Sequence, residues 1–496
     1  MKVEATSRIP HWDRQGDSSA TPFVMLAVGI PWGIWTVYAL LNGAGSDLVA
    51  FVAAEGWFVL LATAYLRIHG LKGVAWCDLP VLLTFAASVQ YIGISTWQIF
   101  AEPGALDFMY VRAIFLVLLG FIGFWIGSLA VRNEGTALFA PLTLEIPGWR
   151  VFMVVAMLVS GFAGKAILWR TGLFAYAADP GQMASSAGSV QWLLLLTNLL
   201  NASLVVSAIE VIGKRSTNSF IKLAFWFSLM TLVGYGAVSG MKAELFYPLA
   251  SVVLVYGVTR GKFPRFAFLL PLLLIVVYPF ENAYRENLNQ GYRAQVNTLE
   301  GQRQVIVKTL SDVIKGAESK SEVAATGLRD TVGRLSLLDY VHNVISLPSP
   351  SMLRGDEKVW LAPVYPLVPR FLWKDKPVLN KGGRLAYLLG VSSGSSAALT
   401  EIGDLYVMYG TSGVVAGMFV WGAFLQLSMN WIKGRNMSER NVFIYVMMAP
   451  VLLNLEADVV GLIVATIQFG LFNVLCAYVV YGRSEPAFSG AIRKAR

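Results

Sequence analysis

Long apolar runs separated by short polar connections set the pattern of this chain. Runs able to cross a hydrocarbon core of roughly 30 Å fall at about 21–41, 47–66, 79–99, 109–131, 151–169, 189–212, 220–239, 243–259, 264–280, 402–432, 441–455 and 457–481. The pattern predicts an all-α, polytopic transmembrane helical bundle of about twelve spans, because a helix satisfies all its backbone polar groups within one segment in lipid. The runs at 243–259, 264–280 and 441–455 are short, and Glu456 alone parts the last pair, so the count lies between eleven and thirteen. The first twenty residues are polar, and the run after them is too long for a signal-peptide core, so the first helix is expected to be retained.

Between 281 and 400 no apolar run is long enough to span. There Val305/Ile306, Thr309/Leu310 and Val313/Ile314 recur every four residues, and Leu338, Val341 and Ile345 follow an i, i+3, i+7 spacing. Both patterns predict amphipathic helices, placed against the membrane face. Gly316 to Thr326 reads as a small, polar linker, while Leu347 to Pro350 and Pro363 to Pro369 read as proline-set turns. The expected organisation is a tail at 1–20, spans one to nine at 21–280, a loop subdomain at 281–400, spans ten to twelve at 401–481, and a basic tail at 482–496. There is no internal repeat and no inverted pair of interrupted helices of the kind secondary transporters carry.

Charge orients the drawing. Alternate connections hold Lys2, Arg8, Arg14, Arg67, Lys72, Arg132, Arg150, Lys214, Arg215, Lys222, Arg260, Lys262, Arg265, Lys433, Arg435, Arg440, Arg483, Arg493, Lys494 and Arg496, and the opposite short connections only Arg112, Arg170 and Lys242. Twenty against three predicts cytoplasmic termini and an external 281–400 loop, since long loops escape the positive-inside rule. That loop holds fifteen Lys and Arg against eleven Asp and Glu.

Composition agrees: 56% of the 496 residues are hydrophobic and 14% charged, where a soluble domain carries about 25%. The net charge of +9 is then first a topology signal, and nucleic acid is not an expected partner. Cys77 is expected in a loop and Cys476 in the last span, which excludes a disulfide or cysteine metal cluster. No metal and no cofactor are expected; neither a phosphate-binding Gly-Lys-Ser/Thr loop nor His-rich spacing is present.

Four segments could carry chemistry. In Val368 to Pro377, prolines fix the backbone around Arg370, Lys374, Lys376 and Trp373, which would hold a diphosphate near the membrane surface or merely touch anionic lipid. Ser239-Gly240-Met241-Lys242, followed by Glu244, puts a lysine against the charge bias, for function or for snorkelling to the interface. Glu281 to Arg285, with Arg293 and Arg303, could face an anion or solvate the loop; Arg303 suits the second better. Thr400 to Gly413 puts Glu401 and Asp404 one turn apart, as a general base or as acids in a first turn capped by Thr400. His342 sits on the apolar stripe of its helix, as a packed or a catalytic residue. Glu55, Lys165 and Glu210 could each mark a polar path in the bundle.

Together, the topology and four motifs (Ser239-Gly-x-Lys242, Tyr284-Arg285, Pro369-Arg370-Phe371-Leu372-Trp373 with Lys376-Pro377, and Glu401 to Gly413 with Tyr406 and Gly410) resemble the O-antigen polymerase (Wzy-type) family of oligosaccharide repeat-unit polymerases. Members usually carry Arg where Lys242 stands and commonly Glu near Asp404. The resemblance implies a GT-C-like, metal-independent glycosyltransferase of the bacterial inner membrane. Its substrate would be an undecaprenyl-diphosphate-linked oligosaccharide, with membrane lipid and a chain-length regulator as further partners. Taken together with the residue reading above, the expected catalytic groups are Glu401, Asp404 and His342, and the expected diphosphate-binding groups are Lys242, Arg285, Arg293, Arg370, Lys374 and Lys376. An O-antigen ligase, or another transferase using lipid-linked sugars, fits the same motifs. A transporter or flippase for an anionic or lipid-linked solute would instead predict charged pairs deep in spans and little external loop.

Overall fold

The computed structural model describes residues 46–69, 75–101, 106–131, 148–171, 173, 187–268, 277, 280, 281, 283–288, 298–318, 336–355, 358–368, 372, 373, 376, 377, 379–390, 397–433 and 437–482. In chain order the helices are α1 (Ser46–His69), α2 (Leu79–Ala87), α3 (Ile94–Ala101), α4 (Phe108–Ala130), α5 (Gly148–Arg170), α6 (Ala187–Ala208) and α7 (Ser219–Ser239). They continue as α8 (Lys242–Arg260), α9 (Leu299–Glu318), α10 (Leu337–Ile345), α11 (Lys381–Leu388), α12 (Glu401–Lys433), α13 (Glu439–Leu452) and α14 (Val459–Tyr481). A π turn, Ser88–Gly93, joins α2 to α3, and another, Ile209–Gly213, extends α6. Among the described residues there is no strand, and eight stretches are long and apolar enough to cross a membrane: α1, α2 with α3, α4, α5, α6, α7, α12 and α14. The protein is an all-helical, multi-pass membrane protein. The predicted span at 21–41 and most of that at 264–280 lie outside the described residues.

Close helix crossing rests on glycine, because lipid offers no hydrophobic drive between helices and packing depends on how near two backbones approach. Where α4 crosses α12, a Cβ at Gly123 would strike the Val415 carbonyl, one at Gly127 the Phe419 carbonyl, and one at Gly422 the Phe124 carbonyl. These two helices form the central pair on which Phe58 of α1 and Tyr91 of the π turn pack, with ring centroids 5.3 and 6.1 Å from that of Phe121.

Charges in the spans gather at the two ends of the bundle. At one end, Arg150 opening α5 lies 2.6 Å from Glu210 and 2.8 Å from Glu439, and Lys214 lies 3.2 and 2.7 Å from the same carboxylates. All four groups are buried, so each charge depends on its partners to offset lost solvation. Asp78 similarly meets Lys433 at 2.7 Å and His69 at 3.3 Å, while Arg260 donates to the Ile212 carbonyl. The ends of α1, α6, α8, α12 and α14 and the starts of α2, α5 and α13 therefore share one face, the basic end. The opposite face, the loop end, collects the starts of α4, α8, α12 and α14 and the ends of α3, α5 and α7.

Arg260 is at the basic end, whereas Tyr284 packs with Trp169 and Val238 at the loop end. Of the two predicted amphipathic helices, α9 packs Val305 on Tyr284 and Leu288 and turns Leu310 and Ile314 outward. The other, α10, buries Leu338, Val341 and Ile345 in the main core.

Candidate functional site

At the start of α12, Thr400 stands at φ 58°, a left-handed conformation costly for a β-branched residue. Its hydroxyl accepts the Gly403 N–H at 3.1 Å, which is the capping role open to it from sequence. The cap fixes the direction of Glu401 and Asp404. Glu401 is enclosed, at 2% exposure, and neither carboxylate oxygen has a hydrogen-bond partner among the described residues. Asp404 is fully buried but engaged: Lys381 Nζ lies 2.8 and 3.1 Å from its two oxygens, and the Val459 N–H reaches Oδ2 at 2.9 Å. Tyr91, carried by the π turn, lies in the field of Glu401.

The helix then breaks. Gly410 adopts φ 69° and ψ −163° inside α12, so carbonyls of the preceding turn lose their intrahelical donors. Arg354 replaces them, with Nε 3.0 Å from the Val407 carbonyl and Nη2 3.1 Å from that of Met408. The sequence reads as one span over 402–432, and the cluster Gly410-Thr411-Ser412-Gly413 within it is the local hint of the break.

His342 is both packed and polar. Its ring stacks on Tyr110 at 4.0 Å and 13°, and Nε2 lies 3.3 Å from both oxygens of Asp107. Burial works to raise the Asp107 carboxyl, but the Tyr110 N–H and the His342 ring outweigh it and hold it below the ordinary range. Beside it Asp339 accepts from Gln98 and Tyr110, both at 2.8 Å; burial raises this carboxyl more than those bonds lower it. Arg112 reaches the Tyr406 hydroxyl at 2.7 Å. The side chains of His342 and Asp107 are 17% and 56% exposed, so of the three expected catalytic residues this one keeps a path to solvent.

The basic motifs come to the same end. Gly240 closes α7 at φ 69°, which a glycine adopts without strain, and Arg285 donates to its carbonyl. Motifs 45 residues apart in sequence thus meet directly. Lys242 begins α8; its side chain lies outside the described residues. Lys376 donates to the carbonyls of Tyr365 at 2.5 Å and Val368 at 3.1 Å, clamping the proline-set turn. Through Tyr365 and Trp373 that turn packs on Val460, next to the Val459 N–H that holds Asp404. Arg293, Arg370 and Lys374 lie outside the described residues.

The bundle supplies partners for the isolated span charges. Lys165 meets Glu244 at 2.7 Å, Glu55 accepts from Thr96 at 2.7 Å, and Glu210 joins the basic-end network. Lys381, Asp107, Asp339, Arg112 and Tyr91 carry no local motif. Asp107 leaves a trace in the sequence as the cap before α4, and Arg112 leaves one as a basic residue against the charge bias.

Comparison with curated proteins and with solved structures finds no match. A family model described as "Domain of unknown function (DUF8712)" matches residues 165–433, more than half of the chain, from the lysine that meets Glu244 to the one that meets Asp78. The protein belongs to the DUF8712 family.

Proposed function

We propose that this protein is a metal-independent membrane glycosyltransferase, a polymerase joining undecaprenyl-diphosphate-linked oligosaccharide repeat units into a bacterial surface polysaccharide. The observation that carries the reading is the meeting, at one end of the bundle, of motifs far apart in sequence: Arg285 on the Gly240 turn, and the Lys376 turn against Val460 beside Asp404. In this reading the fold has twelve spans, cytoplasmic termini and an external subdomain at 281–400, and lies in the inner membrane. The basic end is cytoplasmic and the loop end faces outward.

Chemically, the acceptor hydroxyl attacks the anomeric carbon of the donor, the bond from that carbon to the diphosphate oxygen breaks, and the hydroxyl proton passes to a base. His342 takes that proton, oriented by Asp107, because a base must reach solvent-borne substrate. Asp404 is a positioning group held by Lys381, and Glu401 lies behind the site. The leaving diphosphate is neutralised by Lys242, Arg285, Arg293, Arg370, Lys374 and Lys376, an electrostatic task that guanidinium and ammonium groups perform without a metal.

The test is polymer formation in vitro from purified lipid-linked repeat unit, with and without chelator. His342→Gln and Arg370→Ala are expected to abolish product in folded protein, and Arg370→Lys to rescue poorly, since an ammonium cannot reproduce a bidentate fork. Loss of activity on chelation would overturn the metal-free mechanism, and absence of any product from the unaltered protein would overturn the polymerase.

A second reading, a transporter or flippase for lipid-linked or anionic solute, draws on the Gly410 interruption of α12, since broken helices line transport sites. It predicts movement of labelled lipid-linked sugar across vesicles without new glycosidic bonds.

A further inference from the structure

The buried ion pairs of this protein are of two kinds. In the Lys381 and Asp404 pair the side chains are 4% and 0% exposed, and in the basic-end network none exceeds 5%. The Lys165 and Glu244 pair differs. Lys165 projects from α5 with its side chain 9% exposed, whereas Glu244, in the first turn of α8, is 35% exposed. Lys165 Nζ lies 2.7 Å from Glu244 Oε2 and 3.6 Å from the centroid of the Tyr235 ring. A lysine ammonium carries three N–H donors, and among the described residues Glu244 is its one hydrogen-bond acceptor. The aromatic face stabilises the cation without using a hydrogen bond.

The pair also sits beside the basic motifs. Tyr235 precedes the Gly240 turn by little more than one helical turn, Glu244 follows Lys242 by two residues, and Trp169, one turn beyond Lys165, packs with Tyr284. A carboxylate already one third in water can leave the lysine and recover its hydration at little cost. The enclosed ammonium cannot leave, so it needs another anion in exchange.

We infer that Lys165 is a further cation of the diphosphate site, and that Glu244 is a resident counter-ion displaced when the diphosphate of a prenyl-linked substrate arrives. This rests on the function proposed above and names a residue that its basic motifs do not include. Exchange of carboxylate for phosphate keeps Lys165 paired throughout. Glu244 lowers affinity in the resting state, so empty protein does not hold an exposed cation against lipid headgroups.

The experiment is titration of the purified full chain in detergent with farnesyl diphosphate, with farnesol as the control. Lys165→Gln is expected to weaken diphosphate binding about tenfold, the equivalent of one charge-assisted contact, and Glu244→Gln to tighten it about threefold. In Lys165→Gln/Glu244→Gln, which removes both partners of the pair, affinity should match that of Lys165→Gln, since tightening by Glu244→Gln requires the lysine. If Lys165→Gln does not fold, Glu244→Gln and the double variant decide. Unchanged or weakened binding in Glu244→Gln, or an equal shift for farnesol, would overturn the inference while leaving the polymerase reading in place. No binding of farnesyl diphosphate by the unaltered protein would overturn both.

Discussion

Lys381 and Asp404 close a buried ion pair between α11 and α12, with Nζ 2.8 Å from one carboxylate oxygen and 3.1 Å from the other. It ties the loop segment before α12 to the point where α14 enters the bundle. Removing one partner of such a pair leaves an uncompensated charge and costs about 3–5 kcal/mol. Lys381→Met and Asp404→Asn should each lower the thermal unfolding midpoint in detergent, and Lys381→Met/Asp404→Leu should recover most of the loss. Equal midpoints for single and double variants would show that the pair is not coupled.

The α4 and α12 crossing makes a second prediction. Gly422→Ala directs a methyl group at the Phe124 carbonyl and should destabilise by about 1–3 kcal/mol through overpacking. Gly234, on α7, has nothing within 4 Å of its would-be Cβ, so Gly234→Ala should be neutral or stabilise by about 0.5–1 kcal/mol. Chemical unfolding in mixed micelles compares the two.

Asp107 sets a pH dependence. Its folded-state carboxyl titrates below the ordinary value, so the ionised form is favoured in the native protein. Its contribution is complete above the ordinary carboxylate range and lost as pH falls through the lowered folded value. Asp107→Asn should therefore lower the neutral plateau, where the ionised carboxylate contributes, leave stability below the folded value least changed, and so flatten the acid limb. Lower polymer formation by folded protein of the same variant would support the proposed orienting of the His342 imidazole by Asp107.

Orientation is testable directly. Cys77 and Cys476 are buried, which keeps background labelling low. Ser319→Cys should react with an impermeant maleimide in intact cells. Reaction only after lysis would invert the topology.

Much of the bundle is legible in the sequence. Each of the ten predicted spans within the described residues meets a helix, as 47–66 meets Ser46–His69 and 151–169 meets Gly148–Arg170. Both amphipathic helices of the loop form where the periodicity predicts them, with the stripe of α10 packed into the main core. The departures are local: Gly410 breaks a run that reads as continuous, and α13 ends at Leu452, ahead of the predicted boundary at 455.

For the candidate site the division is sharper. Glu401, Asp404, His342 and the basic motifs stand out by residue type and position, yet nothing local marks Lys381 as the partner of Asp404 or Asp107 as the partner of His342. Hydropathy and helical period are properties of neighbouring residues, and the solvent on either side of a span acts on each segment separately. By themselves they determined the membrane class, the helices and the bias of charge to one end. Pairing of charges is decided by which helix faces meet, as when Lys433 reaches Asp78 across 355 residues. Only the packed structure decides it, because the energy of a buried charge depends on the group beside it in space rather than in sequence.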